Sequence, residues 1–221
     1  MMVLFKWWSW GEELIDKICM FLTNKIRKEM PEIDDEKAEI INYGLQNIIG
    51  EMPKTFLVLI IAYFLGILKE TLLTFVLLIP YKSASGGFHL KTHLGCLIGT
   101  ITFYCGIAIL SKIIILEGII KYILIAIIGM FGMIMIKLYA PADTENVPIL
   151  VKKDRKKQQI ISYITFSIGL LISAIVNNQV ISNIIILGYF IQRLMITKLA
   201  YRLTNNKYGY EVYNNTSTQN G

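Results

Sequence analysis

Hydrophobic residues come along this chain in long blocks. They occupy roughly 55–68, 71–81, 94–111, 119–137, 160–176 and 180–197, with polar, basic or turn-forming stretches between them. Such runs lack the alternation of half-buried strands and predict helices that are apolar around most of their circumference. Crossing a ~30 Å hydrocarbon core takes about 20 apolar residues, fewer where flanking residues or bilayer thinning help. The first two blocks are short, and Lys69-Glu70 separates them. Residues 55–81 therefore read either as one long span or as a hairpin of two short segments. Ahead of the blocks, Leu14, Ile18, Leu22 and Ile26 recur every four residues, with Ile15 and Cys19 beside them and Lys17, Lys25, Arg27 and Lys28 between. This pattern predicts an amphipathic helix lying at the interface. Ser9 and Glu12 have capping-box spacing and predict its start. The clustered Trp7, Trp8 and Trp10 suit the membrane–water boundary. A second helix is expected from about Asp34, carrying Ile40, Ile41, Leu45, Ile48 and Ile49, with Pro53 breaking or kinking it.

Charge chooses between the two readings of 55–81. Residues 1–54 hold seven Lys or Arg, and residues 137–159 hold six. The positive-inside rule puts both regions in the cytoplasm, which requires an even number of crossings between them. The hairpin meets that requirement and the single span does not. The expectation is an all-α integral membrane protein with about six membrane-embedded segments, N-terminal amphipathic helices and both termini cytoplasmic. Residues 1–203 form one polytopic domain, with 1–54 as its amphipathic part. The polar residues 204–221 are expected to be a disordered tail.

Composition agrees. Only 17% of the residues are charged and mean hydropathy is +0.54, against about a quarter charged in soluble domains. The net charge of +6 sits around the apolar blocks, so it reads as a topology signal and not as a nucleic-acid surface. Residues 1–13, rich in Trp and acid, do not read as a secretory signal. The three cysteines, Cys19, Cys96 and Cys105, have no metal-ribbon spacing and are odd in number, which argues against a disulfide framework.

The chemistry concentrates in "SASGGFHLKTHLGC", residues 83–96, which holds the only histidines, His89 and His93, together with Cys96. Ionisable groups at a membrane edge are candidates for function. A Cys thiolate is a strong nucleophile, and a nearby His can take its proton. His93 and Cys96 are neighbours at i,i+3 on a helix. His89 and Cys96 are about 10.5 Å apart along a straight helix, too far for a hydrogen bond. Local spacing thus favours His93 as the base. His89, His93 and Cys96 at i, i+4, i+7 also form a possible zinc-binding face. Gly86-Gly87 allows a tight turn, and its N–H groups could hold an oxyanion. Asp143 and Asn146 either orient a catalytic histidine or shape the turn around Pro141 and Pro148.

"GGFH" followed seven residues later by Cys, at the entrance to an apolar helix, resembles the accessory gene regulator B (AgrB) family. "APADTENVPI", residues 140–149, followed by a basic run, is similar to the family's AP-x-D-x-x-N-x-P segment, and "YGLQ" at 43–46 fits the region before the first span. The resemblance covers roughly residues 10–200. It implies a membrane cysteine endopeptidase that cuts an AgrD-type propeptide on the cytoplasmic side and cyclises it, through an enzyme thioester, to a thiolactone or lactone. It implies His89 as base and Cys96 as nucleophile, no cofactor or metal, and a possible homodimer. Lys82 stands where the family often has Arg, so charge is kept but the bidentate fork is lost. With His89 as base in the same chain, residues 89–96 must turn, at Lys91-Thr92 or Gly95. The other readings are a non-enzymatic transporter or export factor, with Arg193, Glu117 and Lys121 as the ionisable residues nearest to spans, and a zinc-dependent protease using His89, His93 and Cys96.

Overall fold

The structure, a computed structural model, describes residues 2–88, 90, 92–145 and 148–212, without the side chains of residues 2–14 and of Glu36, Ile40, Tyr43, Asn47 and His93. The expected tryptophan belt falls on those undescribed side chains. The described residues form eight α-helices: α1 (Met2–Glu29), α2 (Asp35–Phe64), α3 (Leu68–Ser85), α4 (His93–Ile113), α5 (Gly118–Tyr139), α6 (Lys152–Ile175), α7 (Gln179–Met195) and α8 (Lys198–Leu203). The chain divides into two compact units, 1–60 and 61–221.

In the first unit α1 runs unbroken from Met2, so the expected start at Ser9 is not a helix end. The second helix begins where Asp34 accepts the Lys37 N–H at 2.8 Å. Three side-chain contacts fix an antiparallel pair: Arg27–Asp35 at 2.5 Å, Thr23–Asn42 at 3.3 Å and Gln46–Asp16 at 3.1 Å. As one partner rises in number the other falls. Cys19 is fully buried, and desolvation followed by the nearby Asp16 raises its thiol above the ordinary value.

Pro53 does not end α2, which continues to Phe64. The expected amphipathic helix and the first apolar block are one helix. The 55–81 stretch does break, at Leu65–Ile67, where Gly66 takes φ +69 and the Ile67 N–H reaches back to the Ala62 carbonyl. Among the described residues four helical stretches are long and apolar enough to cross a membrane: Lys37–Phe64, Leu94–Ile113, Gly118–Tyr139 and Lys152–Ile175. The apolar α7 is shorter.

In the second unit α7 is the axis, packing against α3, α4, α5 and α6. Its polar residues Ser182, Asn183, Gln192 and Arg193 are buried, while α5 turns Ile127, Met130, Ile134 and Leu138 outward. Polar groups inside and aliphatic groups outside mark a bundle solvated by lipid. At one end, Asn183 donates to the Ser111 and Ile114 carbonyls, and Lys121 caps the Val176 carbonyl. Glu117 is the N-cap of α5. Both of these ionisable residues therefore lie at helix ends, and Arg193 alone of the three lies inside the bundle. Its guanidinium sits 4.2 Å from the Tyr81 ring centroid and 3.8 Å from that of Phe166, in room left by Gly132. At the other end α3, α5 and α7 finish where α4 and α6 begin.

Candidate active site

The site forms at that second end. Helix α3 stops at Gly86, whose φ of +72 suits glycine, and a Cβ there would overlap the Ala142 carbonyl oxygen. Gly86 and Ala142 form an isolated parallel bridge: the Gly87 N–H donates to the Ala142 carbonyl and the Ala142 N–H to the Ser85 carbonyl, both at 2.9 Å. The two stretches that carry chemistry in the sequence, 83–96 and 140–149, are thus hydrogen-bonded to each other. The Gly86 N–H donates to the Lys82 carbonyl at 3.0 Å. Both glycine N–H groups, which the sequence offers as oxyanion donors, have acceptors within the protein, and here the pair makes the turn.

Ala142, Asp143 and Thr144 are buried. Asp143 is the hub of its loop. Its Oδ2 accepts the Ile149 N–H at 3.0 Å and the Tyr210 N–H at 2.9 Å, and lies 3.0 Å from Arg155 Nη1. Arg155 also donates to the Pro141 carbonyl and stacks 4.3 Å from the Tyr210 ring centroid. The described contacts of Asp143 are those of a residue that shapes the turn. Tyr201 closes the arrangement, its hydroxyl shared between the Ala142 and Asp143 carbonyls at 2.9 and 3.0 Å. Burial, then Tyr208 and Asp143, push that hydroxyl far above its ordinary range, so it stays a donor.

Residues 204–212, expected to belong to a disordered tail, pack here. Tyr208 stacks on Tyr201 with centroids 4.1 Å apart and donates to the Ile196 carbonyl at 2.7 Å. The composition of this stretch is polar, but its tyrosines bring rings that bury well and hydroxyls that find acceptors.

His89, Lys91, Asn146 and the His93 side chain lie outside the described residues. The residues on either side of His89 are placed. Phe88 packs on the cluster of Ala142, Ile196, Tyr201 and Tyr208, edge-on to Tyr201. Leu90 lies over α4, where a Cβ on Gly99 would come within 3.1 Å of its Cδ1 and one on Gly95 within 3.7 Å of its Cβ. Gly95 and Gly99, at i and i+4, share one face of α4, and Cys96 stands beside that face, three positions before Gly99. Leu90 is seated on the Gly95–Gly99 face, next to the position of Cys96.

Helix α4 begins at His93. Thr92 is its N-cap, extended at φ −106 and ψ 139, and its side chain accepts the Gly95 N–H at 3.1 Å. Residues 89–96 are therefore not one helix, and the turn falls at Thr92. The continuous helix on which the i, i+4, i+7 face was drawn is not present, because Thr92 caps α4 just ahead of His93. Among the described residues no group of His, Cys, Asp or Glu could hold a metal ion. Cys96 occupies the first turn of α4, where the helix end favours an anion. It is half-buried, whereas Cys19 and Cys105 are buried, and all three are free thiols. Lys82 reaches α4 deeper in, 4.9 Å from the Phe103 centroid and 5.3 Å from that of Tyr104. Phe103 is seven residues past Cys96, about 10 Å along the helix.

Sequence reasoning missed Leu90, Tyr201 and Gln192. Leu90 and Gln192 carry no local signal. Tyr201 could have been found only by pairing the aromatic residues after the last block with the 140–149 loop.

Comparison with known proteins adds the lineage. The family model described as accessory gene regulator B matches residues 19–196. The chain belongs to this family. An AgrB-like protein of Listeria monocytogenes is 30% identical over 189 residues, covering 81% of this chain and 87% of its own length. One from Clostridium acetobutylicum is 21% identical over 195 residues, covering 88% and 91%. A third, from Clostridium perfringens, is 30% identical over 149 residues, covering 66% and 69%. No solved structure matches the chain. AgrB membership ties the protein to the membrane and to processing of the agr quorum-sensing peptide, with an AgrD-type propeptide as substrate.

Proposed function

We propose that this chain is a membrane-embedded cysteine endopeptidase that cleaves an AgrD-type propeptide at its C-terminal side and cyclises it through a thioester on Cys96. One observation carries the reading. The residues on either side of His89 are both anchored, Phe88 to the Ala142–Tyr201 cluster and Leu90 to the Gly95–Gly99 face of α4, beside Cys96. That arrangement suits a dyad within one chain.

The chemistry is then direct. The His89 imidazole takes the Cys96 proton, and the thiolate adds to the scissile carbonyl. Collapse expels the C-terminal fragment as an amine, which takes the proton back from the imidazolium. The thioester that remains keeps much of the acyl energy. A Cys or Ser of the bound peptide gives its proton to the neutral His89 imidazole and attacks the thioester, which closes the thiolactone or lactone and expels the Cys96 sulfur as thiolate, and the thiolate takes that proton back. Holding both ends of one chain together favours closure over hydrolysis, since oriented intramolecular reactions reach high effective molarities. Lys82 and Asn146 remain candidate substrate contacts, Lys82 for a carboxylate. The reading further assigns six membrane segments, both termini and the active site to the cytoplasmic side, and a homodimer that does not share its dyads.

The test is cleavage of the propeptide in membranes. Cys96→Ala and His89→Ala should each abolish it, while His93→Ala, Cys19→Ala and Cys105→Ala retain most of it. Mixing His89→Ala with Cys96→Ala protein should not restore it. Retained cleavage in His89→Ala overturns the base assignment. Activity lost to chelation and restored by zinc would move the mechanism to a metal.

A further inference from the structure

Gln192 stands one turn from the end of α7, 1% exposed, more than a hundred residues in sequence from the loop it touches. Its Nε2 donates both of its hydrogens into the α3 terminus, to Ser85 Oγ at 3.1 Å and to the Gly86 carbonyl at 2.7 Å. The peptide linking Gly86 to Gly87 is consequently held at both edges. Gln192 takes its oxygen, and the Ala142 carbonyl takes its N–H at 2.9 Å. A peptide plane fixed at both edges cannot rotate, and this plane directs the chain from the end of α3 towards Phe88 and His89.

A contact serving only to join α7 to α3 needs no such target. Other residues already supply that cohesion: Gly188 of α7 admits Leu78 of α3, and Arg193 stacks on Tyr81. The Gly86 carbonyl is different. It lies past the last residue of α3 and inside the turn, and two flanking glycine φ values of +72 and +151 leave that turn little intrinsic preference. Gln192 supplies the preference, with a short hydrogen bond from a buried side chain to a half-buried carbonyl.

We propose that Gln192 is a positioning residue of the peptidase site, which fixes the Gly86–Gly87 peptide and through it the approach of His89 to Cys96. This rests on the cysteine-peptidase reading above. Gln192 touches neither the substrate nor the reacting atoms. It acts on how often the imidazole and the thiol meet in a productive geometry.

The proposal is tested with purified full-length protein in lipid nanodiscs and a synthetic AgrD-type propeptide. Rates are normalised to the monodisperse fraction. Gln192→Met keeps side-chain size and removes both donors; Gln192→Glu keeps shape and, when ionised, cannot donate. Both should lower kcat by about 10²-fold, the scale expected for a small misplacement of reacting groups, with KM changed by less than about threefold. Asn183→Ala breaks buried bonds at the other end of the same helix and should leave kcat near that of the parent. A second readout needs no propeptide: alkylation of Cys96 by iodoacetamide, in a Cys19→Ala, Cys105→Ala background, should slow in Gln192→Met and Gln192→Glu as it does in His89→Ala. If Gln192→Met does not accumulate, Gln192→Glu decides by the same criteria. A kcat within about threefold of the parent, a defect confined to KM, or an equal kcat loss in Asn183→Ala overturns the proposal. Should Cys96→Ala still cleave, the peptidase reading fails instead, whatever Gln192 does.

Discussion

At the scale of residues, the site depends on Asp143, one carboxylate with three donors on a single oxygen. Its side chain is fully buried and that of Arg155 is one-fifth exposed. Removing one partner of such a pair leaves a charge with poor solvation, at a cost of about 3 kcal/mol. Asp143→Ala should therefore lower the thermal unfolding midpoint in nanodiscs markedly. Arg155→Met should cost less, because the carboxylate it leaves keeps the Ile149 and Tyr210 N–H donors that Asp143→Ala would strand, and the double variant should show coupling of about 1–3 kcal/mol. Additive losses would mean that the two side chains do not act as a pair. The turn at Gly86-Gly87 was legible in the sequence, because adjacent glycines between two apolar runs have few other uses. The partner of Asp143 was not. Arg155 lies in the run Lys152–Lys157, where every cation has the same claim to face lipid headgroups, and only the packing of Tyr210 singles it out. His89 and Cys96 stood out by residue type and motif, whereas the choice between Lys91-Thr92 and Gly95 for the break ahead of Cys96 needed the Thr92 cap.

At the scale of elements, periodicity located α4 to α7 well and misjudged the ends of others. Asp34 signalled the start of α2 by its capping chemistry, but Pro53 did not end it, since a helix in an apolar setting can tolerate proline when neighbouring groups re-satisfy the backbone. The segment after α8 was unreadable for another reason: composition alone cannot tell a solvated polar stretch from one that docks through its tyrosines. Tyr208 makes this strap testable. Tyr208→Ala loses the stack on Tyr201, a parallel contact with Tyr139 at 6.4 Å and the bond to the Ile196 carbonyl. It should destabilise the second unit by about 3 kcal/mol, measured as a shift in the denaturation midpoint. It should also reduce cleavage, because Phe88 rests on the same cluster. A shift below about 0.5 kcal/mol, the range of ordinary surface substitutions, would show that the strap does not hold the loop.

At the scale of the whole molecule, the hydrogen bonds between the Gly86 turn and the Ala142 loop put two basic-flanked connections at one end of the bundle, together with the strap. Opposite lie the α4–α5 and α6–α7 connections. The positive-inside rule predicts a cytoplasmic position for the first end. Single cysteines at the exposed Leu150 and Lys207 should resist a membrane-impermeant thiol reagent on intact cells and react after permeabilisation, while one at the exposed Ile115 should react from outside. Labelling of Leu150 and Lys207 from outside would invert the molecule, and labelling of only one would break the shared end. The claim that joins these scales is that Cys96 carries the peptide between cleavage and cyclisation. It is tested most directly with a propeptide whose ring-closing Cys or Ser is replaced by Ala, so that the thioester has no internal nucleophile. Intact-mass spectrometry of the enzyme should then show an adduct equal to the N-terminal fragment, released by hydroxylamine, mapped to Cys96 and absent in Cys96→Ala. Cleavage of that propeptide without an adduct, or an adduct that persists in Cys96→Ala, would contradict it.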